Sequence, residues 1–114
     1  MKTKIMLPVL LAALMVAVPS ASFGAEGLEA GQEALSQGRH NRAIEILSGL
    51  LDSTSLTPPE RAEIHHLMGR AFEKKGFYGD AERHYGWALA LGGYSPEYLD
   101  SFRKMRRKNA PGPP

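Results

Sequence analysis

The side chains best suited to hold a metal or move a proton are four histidines, His40, His65, His66 and His84. His65 and His66 are adjacent, so on a helix they project about 100° apart and do not converge on one ion. No H-x₃-H pair, cysteine or carboxylate-rich loop accompanies them. The expectation is therefore no metal site and no cofactor. Serine and histidine both occur, yet nothing resembles a nucleophile elbow or a glycine-rich phosphate cradle. The chain reads as a non-enzyme, and its glycines and alanines need another explanation.

That explanation is repetition. Gly31 returns as Gly69, Gly38 as Gly76, Ala43 as Ala81, Leu51 as Leu89 and Pro58 as Pro96, always thirty-eight residues apart. Thr57 precedes one proline and Ser95 the other. A period of ~20–50 residues marks units that bury their apolar faces only against neighbours. Each unit reads as two helices around a tight turn. Thr57-Pro58-Pro59-Glu60 carries an N-cap, a first-turn proline and a capping box. Ile64, Leu67, Met68, Ala71 and Phe72 then form one apolar stripe, which Gly76 ends. After Phe77-Tyr78-Gly79-Asp80, a second helix carries Ala81, Tyr85, Ala88, Leu89 and Leu91, and Gly92-Gly93 stops it. The earlier copy runs from Leu28 to Gln37, stops at Gly38, and resumes with Ala43, Ile44, Leu47, Leu50 and Leu51. Ser95, Pro96 and Glu97 open a fifth helix with Tyr98, Leu99, Phe102 and Met105 on its apolar side.

The second copy supplies His65-x₂-Met68-Gly69-x₂-Phe72, then Ala81-x₃-Tyr85 and Ala88; the first supplies Gly27-x₂-Ala30-Gly31-x₂-Ala34, then Ala43-x₃-Leu47. These residues resemble the tetratricopeptide repeat, W-x₂-L-G-x₂-Y, A-x₃-F and P. Gly27 and His65 stand where the family has Trp, so His65 is expected as a core or half-buried imidazole. The period exceeds the family's ~34 residues by an insertion placed in the Ser53 to Leu56 loop. The resemblance implies an all-α helical-hairpin solenoid: two repeats over residues 26–56 and 57–94 within 25–94, a capping helix at 95–109, and a disordered tail at 110–114. Trp87, Tyr94 and Tyr98 are expected to pack the cap onto the second repeat.

The resemblance also implies an inner groove. Leu28, Gln32, Leu35 and Ser36 would line it from one repeat, and Glu63, His66, Arg70, Glu73 and Lys74 from the next. Such a groove suits an extended peptide or a partner helix. The other reading of these positions is plain solvated helix surface. The lysine and asparagine positions that clamp a peptide's terminal carboxylates in related proteins are not filled here.

Charge is asymmetric. From residue 97 onward five basic residues, Arg103, Lys104, Arg106, Arg107 and Lys108, face two acidic ones, whereas residues 25–96 carry seven and ten. The basic run admits three uses: a solvated helix end favoured by the dipole, an attachment to anionic membrane or wall polymer, or self-association.

The N-terminus sets the compartment. Met1-Lys2-Thr3-Lys4 precedes an apolar run from Ile5 to Val18, then Pro19 and small residues. This is the pattern of a secretory signal, expected over residues 1–24 with the cut after Gly24. The run is shorter than the ~20 residues of a membrane span. The expectation is a periplasmic or secreted adaptor that binds another envelope protein or peptide, with no nucleic acid partner. Two repeats plus a cap are few for such an array, so a partner or a second copy is expected to add stability.

Overall fold

The computed structural model describes residues 22–53 and 55–113. Residues 1–21, which hold most of the expected signal segment, lie outside the described residues, as do Thr54 and Pro114. Five helices follow in order: α1 (Ser22–Ser36), α2 (His40–Leu51), α3 (Pro58–Lys74), α4 (Tyr78–Leu91) and α5 (Pro96–Asn109). Among the described residues there is no strand, and the fold is all-α. None of these helices is long and apolar enough to cross a membrane.

Local chemistry places the helix ends. Thr57 and Glu60 close a reciprocal cap on α3: the Glu60 N–H donates to Thr57 Oγ1 at 3.3 Å, and the Thr57 N–H donates to Glu60 Oε1 at 2.8 Å. Two backbone donors that a helix start leaves unpaired are thereby satisfied. Ser95 Oγ accepts from the Tyr98 N–H at 3.4 Å, and Pro96 begins α5 as Pro58 begins α3. At the other ends, Gly38 (φ +77°) and Gly76 (φ +83°) adopt the left-handed conformation that only glycine enters without strain.

The two interhelical turns are built alike, bond for bond. Gly38 donates to Leu35 O at 3.0 Å and Gly76 to Glu73 O at 3.0 Å. Arg39 donates to Ala34 O at 2.8 Å and Phe77 to Phe72 O at 2.9 Å. Ala43 donates to Arg39 O at 2.9 Å and Ala81 to Phe77 O at 3.0 Å. Arg39 (φ −89°, ψ 71°) and Phe77 (φ −90°, ψ 74°) share one backbone conformation. Every one of these equivalences is separated by the thirty-eight residues of the sequence period.

Packing runs from neighbour to neighbour: α1 on α2, α2 on α3, α3 on α4 and α4 on α5, with a lesser contact of α1 on α3. Ala34, Ala43, Leu47, Ile64, Leu67 and Met68 form one core. Ala81, Tyr85 and Met105 form a second, and Phe72 packs against both. Burying a side chain the size of Leu47 or Met105 stabilises by about 1.5–3 kcal/mol. Leu47 lies over Gly31 and Tyr85 over Gly69, each so close that a β-carbon on the glycine would clash. The loop before α3 is held down by Arg61, whose guanidinium donates to Leu51 O at 3.3 Å and Ser53 O at 2.8 Å.

Three expectations are corrected. α1 is already helical at Ser22, where the described residues begin, well before Leu28. Tyr78, Gly79 and Asp80 already belong to α4. Of the three aromatics assigned to hold the last helix, only Tyr98 is half-buried between α3 and α5. Tyr94 is 67 % exposed and Trp87 46 %. Tyr94 (φ +61°) follows Gly93 (φ +70°) in a left-handed pair that reverses the chain and leaves the ring outside. Trp87 faces His65 and His84, and it is Gly86 that meets Phe102 of α5.

Candidate functional site

A polar cleft of about 380 Å³ opens between α3 and α5. From α3 it takes His66, Arg70, Glu73 and Lys74, from α4 Tyr85, and from α5 Glu97, Asp100, Ser101 and Lys104. Helical spacing puts the α3 residues on one face, three and four positions apart.

The floor is a fixed hydrogen-bonded network. Tyr85 Oη donates to Glu73 Oε1 at 2.8 Å, and Lys104 Nζ bridges to Glu73 Oε2 at 2.9 Å. Burial pushes the Glu73 carboxyl up, but the bonds from Lys104 and Tyr85 outweigh it and hold the group below its ordinary range. Burial, followed by the same carboxylate, raises the Tyr85 phenol far above its usual value, so it stays a donor. His66 is only 8 % exposed; its Nε2 lies 3.1 Å from Ser101 Oγ, and its ring sits 5.2 Å from Tyr85 and 4.9 Å from Tyr98. Burial lowers its pKa, which makes it a neutral, structural imidazole near neutral pH.

The rims carry free charge. Arg70, Lys74, Glu97 and Asp100 are all exposed, and among the described residues none of them is in a salt bridge. The basic pair stands on α3 and the acidic pair on α5. Glu63 is half-buried near Tyr98, whose phenol is pushed up by burial first and then by Glu63 and Glu97.

The α1 residues of the expected groove do not reach this cleft. Leu28 and Leu35 are half-buried against the first core. Gln32 and Ser36 line a separate shallow depression with Glu26, Glu29, Ala30 and Glu33. Conversely, Glu97, Asp100, Ser101 and Lys104 complete the cleft and were not singled out as groove residues from the sequence. A signal for two of them existed: the period carries Glu63 and His66 onto Ser101 and Lys104.

The basic run divides in three. Lys104 is bound to Glu73, and Arg106 Nε lies 3.6 Å from Glu82 and over the Phe102 ring. Lys108 Nζ sits 4.5 Å above the Tyr78 ring. Arg103 and Arg107 are exposed one turn apart, with no ion pair among the described residues.

Among the described residues no group of three or more His, Cys, Asp or Glu side chains is arranged to hold a metal. Compared with known proteins, the chain matches no family model, no curated protein and no solved structure.

Proposed function

We propose that this protein is a non-enzymatic adaptor of the cell envelope that grips a partner's peptide or helix in the cleft between α3 and α5. The observation that carries the reading is the opposition of Arg70 and Lys74 to Glu97 and Asp100, unpaired among the described residues, across a hydrogen-bonded floor. Exposed charges held apart in this way add little stability by themselves but fix register and orientation for a charged segment. Within this reading the fold is a two-unit solenoid of the tetratricopeptide kind, exported after loss of residues 1–24. Its support is the matched turn geometry at Gly38 and Gly76 and the matched glycine seats at Gly31 and Gly69. At the third such position α5 carries Arg107, too large for a following helix to nest against, which suits a cap.

Photocrosslinkers placed at Lys74 and Asp100, and separately at Gln32 and Arg107, test this in intact envelope. Adducts of one defined protein from 74 and 100 are expected, weakened about tenfold by Arg70→Glu. Adducts confined to Arg107, or none from the cleft positions, would refute it. The exposed, unpaired pair Arg103 and Arg107 favours a second reading, attachment to an anionic surface. Arg103→Glu with Arg107→Glu should abolish binding to anionic vesicles on that reading while sparing capture in the cleft.

A further inference from the structure

His65 on α3 and His84 on α4 meet across the hairpin with their Nδ1 atoms 3.1 Å apart. The ring centroids are 5.3 Å apart and the rings are inclined by 30°. Among the described residues this is the only hydrogen bond either imidazole makes: one Nδ1–H donates and the other Nδ1 accepts. Two walls flank the pair. Phe72 stacks on His84 at 5.3 Å, and the Trp87 ring stands edge-on to both, 5.0 Å from His65 and 5.1 Å from His84. The histidines are half-buried and Trp87 is exposed, so the pair sits at the surface of the hairpin.

We propose that His65 and His84 form a two-imidazole site for a divalent transition-metal ion of the copper(II) class, the ion entering between the two Nδ1 atoms. Two nitrogens ~2.0–2.1 Å from one ion stand ~2.9 Å apart at a right angle and ~3.4 Å apart at the tetrahedral angle. The observed spacing lies between those limits. A linear two-coordinate ion needs ~4 Å between the nitrogens, which this spacing excludes. As the rings stand, the nitrogens face each other as in an N–H···N bond. Entry of the ion requires each ring to turn about Cβ–Cγ, a soft torsion for histidine. The ring that donates shifts its proton to Nε2, so both imidazoles ligate in the neutral form with no net loss of a proton. Burial already favours that form: it lowers His84, and burial together with His84 and Arg61 brings His65 down to about 4.

The surroundings decide which ion. Two imidazoles with water in the remaining positions bind weakly, so the metal at the top of the divalent affinity order, copper(II), is retained best. The Arg61 cation opposes binding, but its guanidinium is tied to the carbonyls of Leu51 and Ser53. Near His84 the Arg83 cation acts more strongly than the Asp80 carboxylate bonded to it at 2.8 Å, so charge favours the neutral imidazole but does not itself attract the ion. Neither histidine touches the cleft between α3 and α5, so the site stands independently of the adaptor reading.

Trp87 is the one tryptophan of the chain, and its contact with both rings makes it a reporter. Titration of the folded protein with copper(II) in a weakly coordinating buffer should quench its fluorescence along a saturable curve that fits one bound ion per chain. The paramagnetic resonance spectrum of that complex should show hyperfine coupling to two equivalent imidazole nitrogens. His65→Gln and His84→Gln should each weaken binding by at least the about 10-fold that even an outer-shell change costs. His40→Gln should leave it unchanged. Quenching without saturation, persistence in the His65→Gln, His84→Gln double variant, or a spectrum lacking two imidazole nitrogens would overturn the proposal. The spectrum is recorded on the unaltered chain, so it decides the matter even if a variant loses its helical circular dichroism.

Discussion

Gly69 and the ring of Tyr85 touch with no space between them: a β-carbon at Gly69 would lie 2.6 Å from both Cδ1 and Cε1 of the ring. The ring cannot swing aside, because it is fully buried and its hydroxyl is held by Glu73. Gly69→Ala should therefore destabilise by about 1–3 kcal/mol, the usual cost of overpacking. Gly49 makes the contrast. It lies inside α2 with open space where a methyl would go, and Gly49→Ala should stabilise by about 0.5–1 kcal/mol through helix propensity alone. Urea unfolding of the two variants measures both shifts, and their opposite signs are the point of the comparison.

Met105 is the anchor of α5. It is fully buried beside Ala81 and Tyr85, at the end of the molecule farthest along the chain. Met105→Ala should cost about 2–5 kcal/mol and loosen α5 before the rest. Proteolysis that frees a C-terminal fragment from the variant, but not from the parent, is the expected readout. Equal resistance of the two would show that the salt bridges of Lys104 and Arg106 hold the helix unaided.

Glu73 links acid stability to the cleft. Its folded pKa lies below its ordinary value of 4.5. A depressed carboxyl contributes stability that is complete above the unfolded pKa and is lost as pH falls through the lower, folded one. Glu73→Gln keeps an acceptor for Tyr85 but removes the charge. Its deficit relative to the parent should be largest near neutral pH and shrink at about pH 3. Urea midpoints at both conditions give the comparison, and a deficit independent of pH would assign the loss to packing instead.

Features written in local residue types were legible before any coordinates. Thr57 with Glu60, and the glycines at 38 and 76, mark helix ends by chemistry that acts within four residues. Gly31 and Gly69 stood out in the sequence by their thirty-eight-residue spacing, and the close approach of Leu47 and Tyr85 gives that spacing its reason. What escaped depends on how separate helices rotate against one another. The meeting of His65 with His84 needs the register of α3 on α4, which no spacing along either helix specifies. The acidic wall of the cleft comes from α5, whose place beside α3 is a tertiary fact. The helical residues ahead of Leu28 escaped for another reason: small Gly24, Ala25 and Gly27 give that stretch no apolar stripe. Tyr94 escaped because a left-handed tyrosine is rare enough that a turn was expected to end on the glycines.

The order of helix contacts has a kinetic meaning. Each helix rests chiefly on the one made just before it, so every closure joins stretches close in sequence and little chain entropy is lost at any step. Such a molecule is free to assemble in the direction of synthesis, a hairpin at a time. It also gives way unevenly: α3 and α4, clasped on both sides, outlast α1, which among the described residues leans mainly on α2.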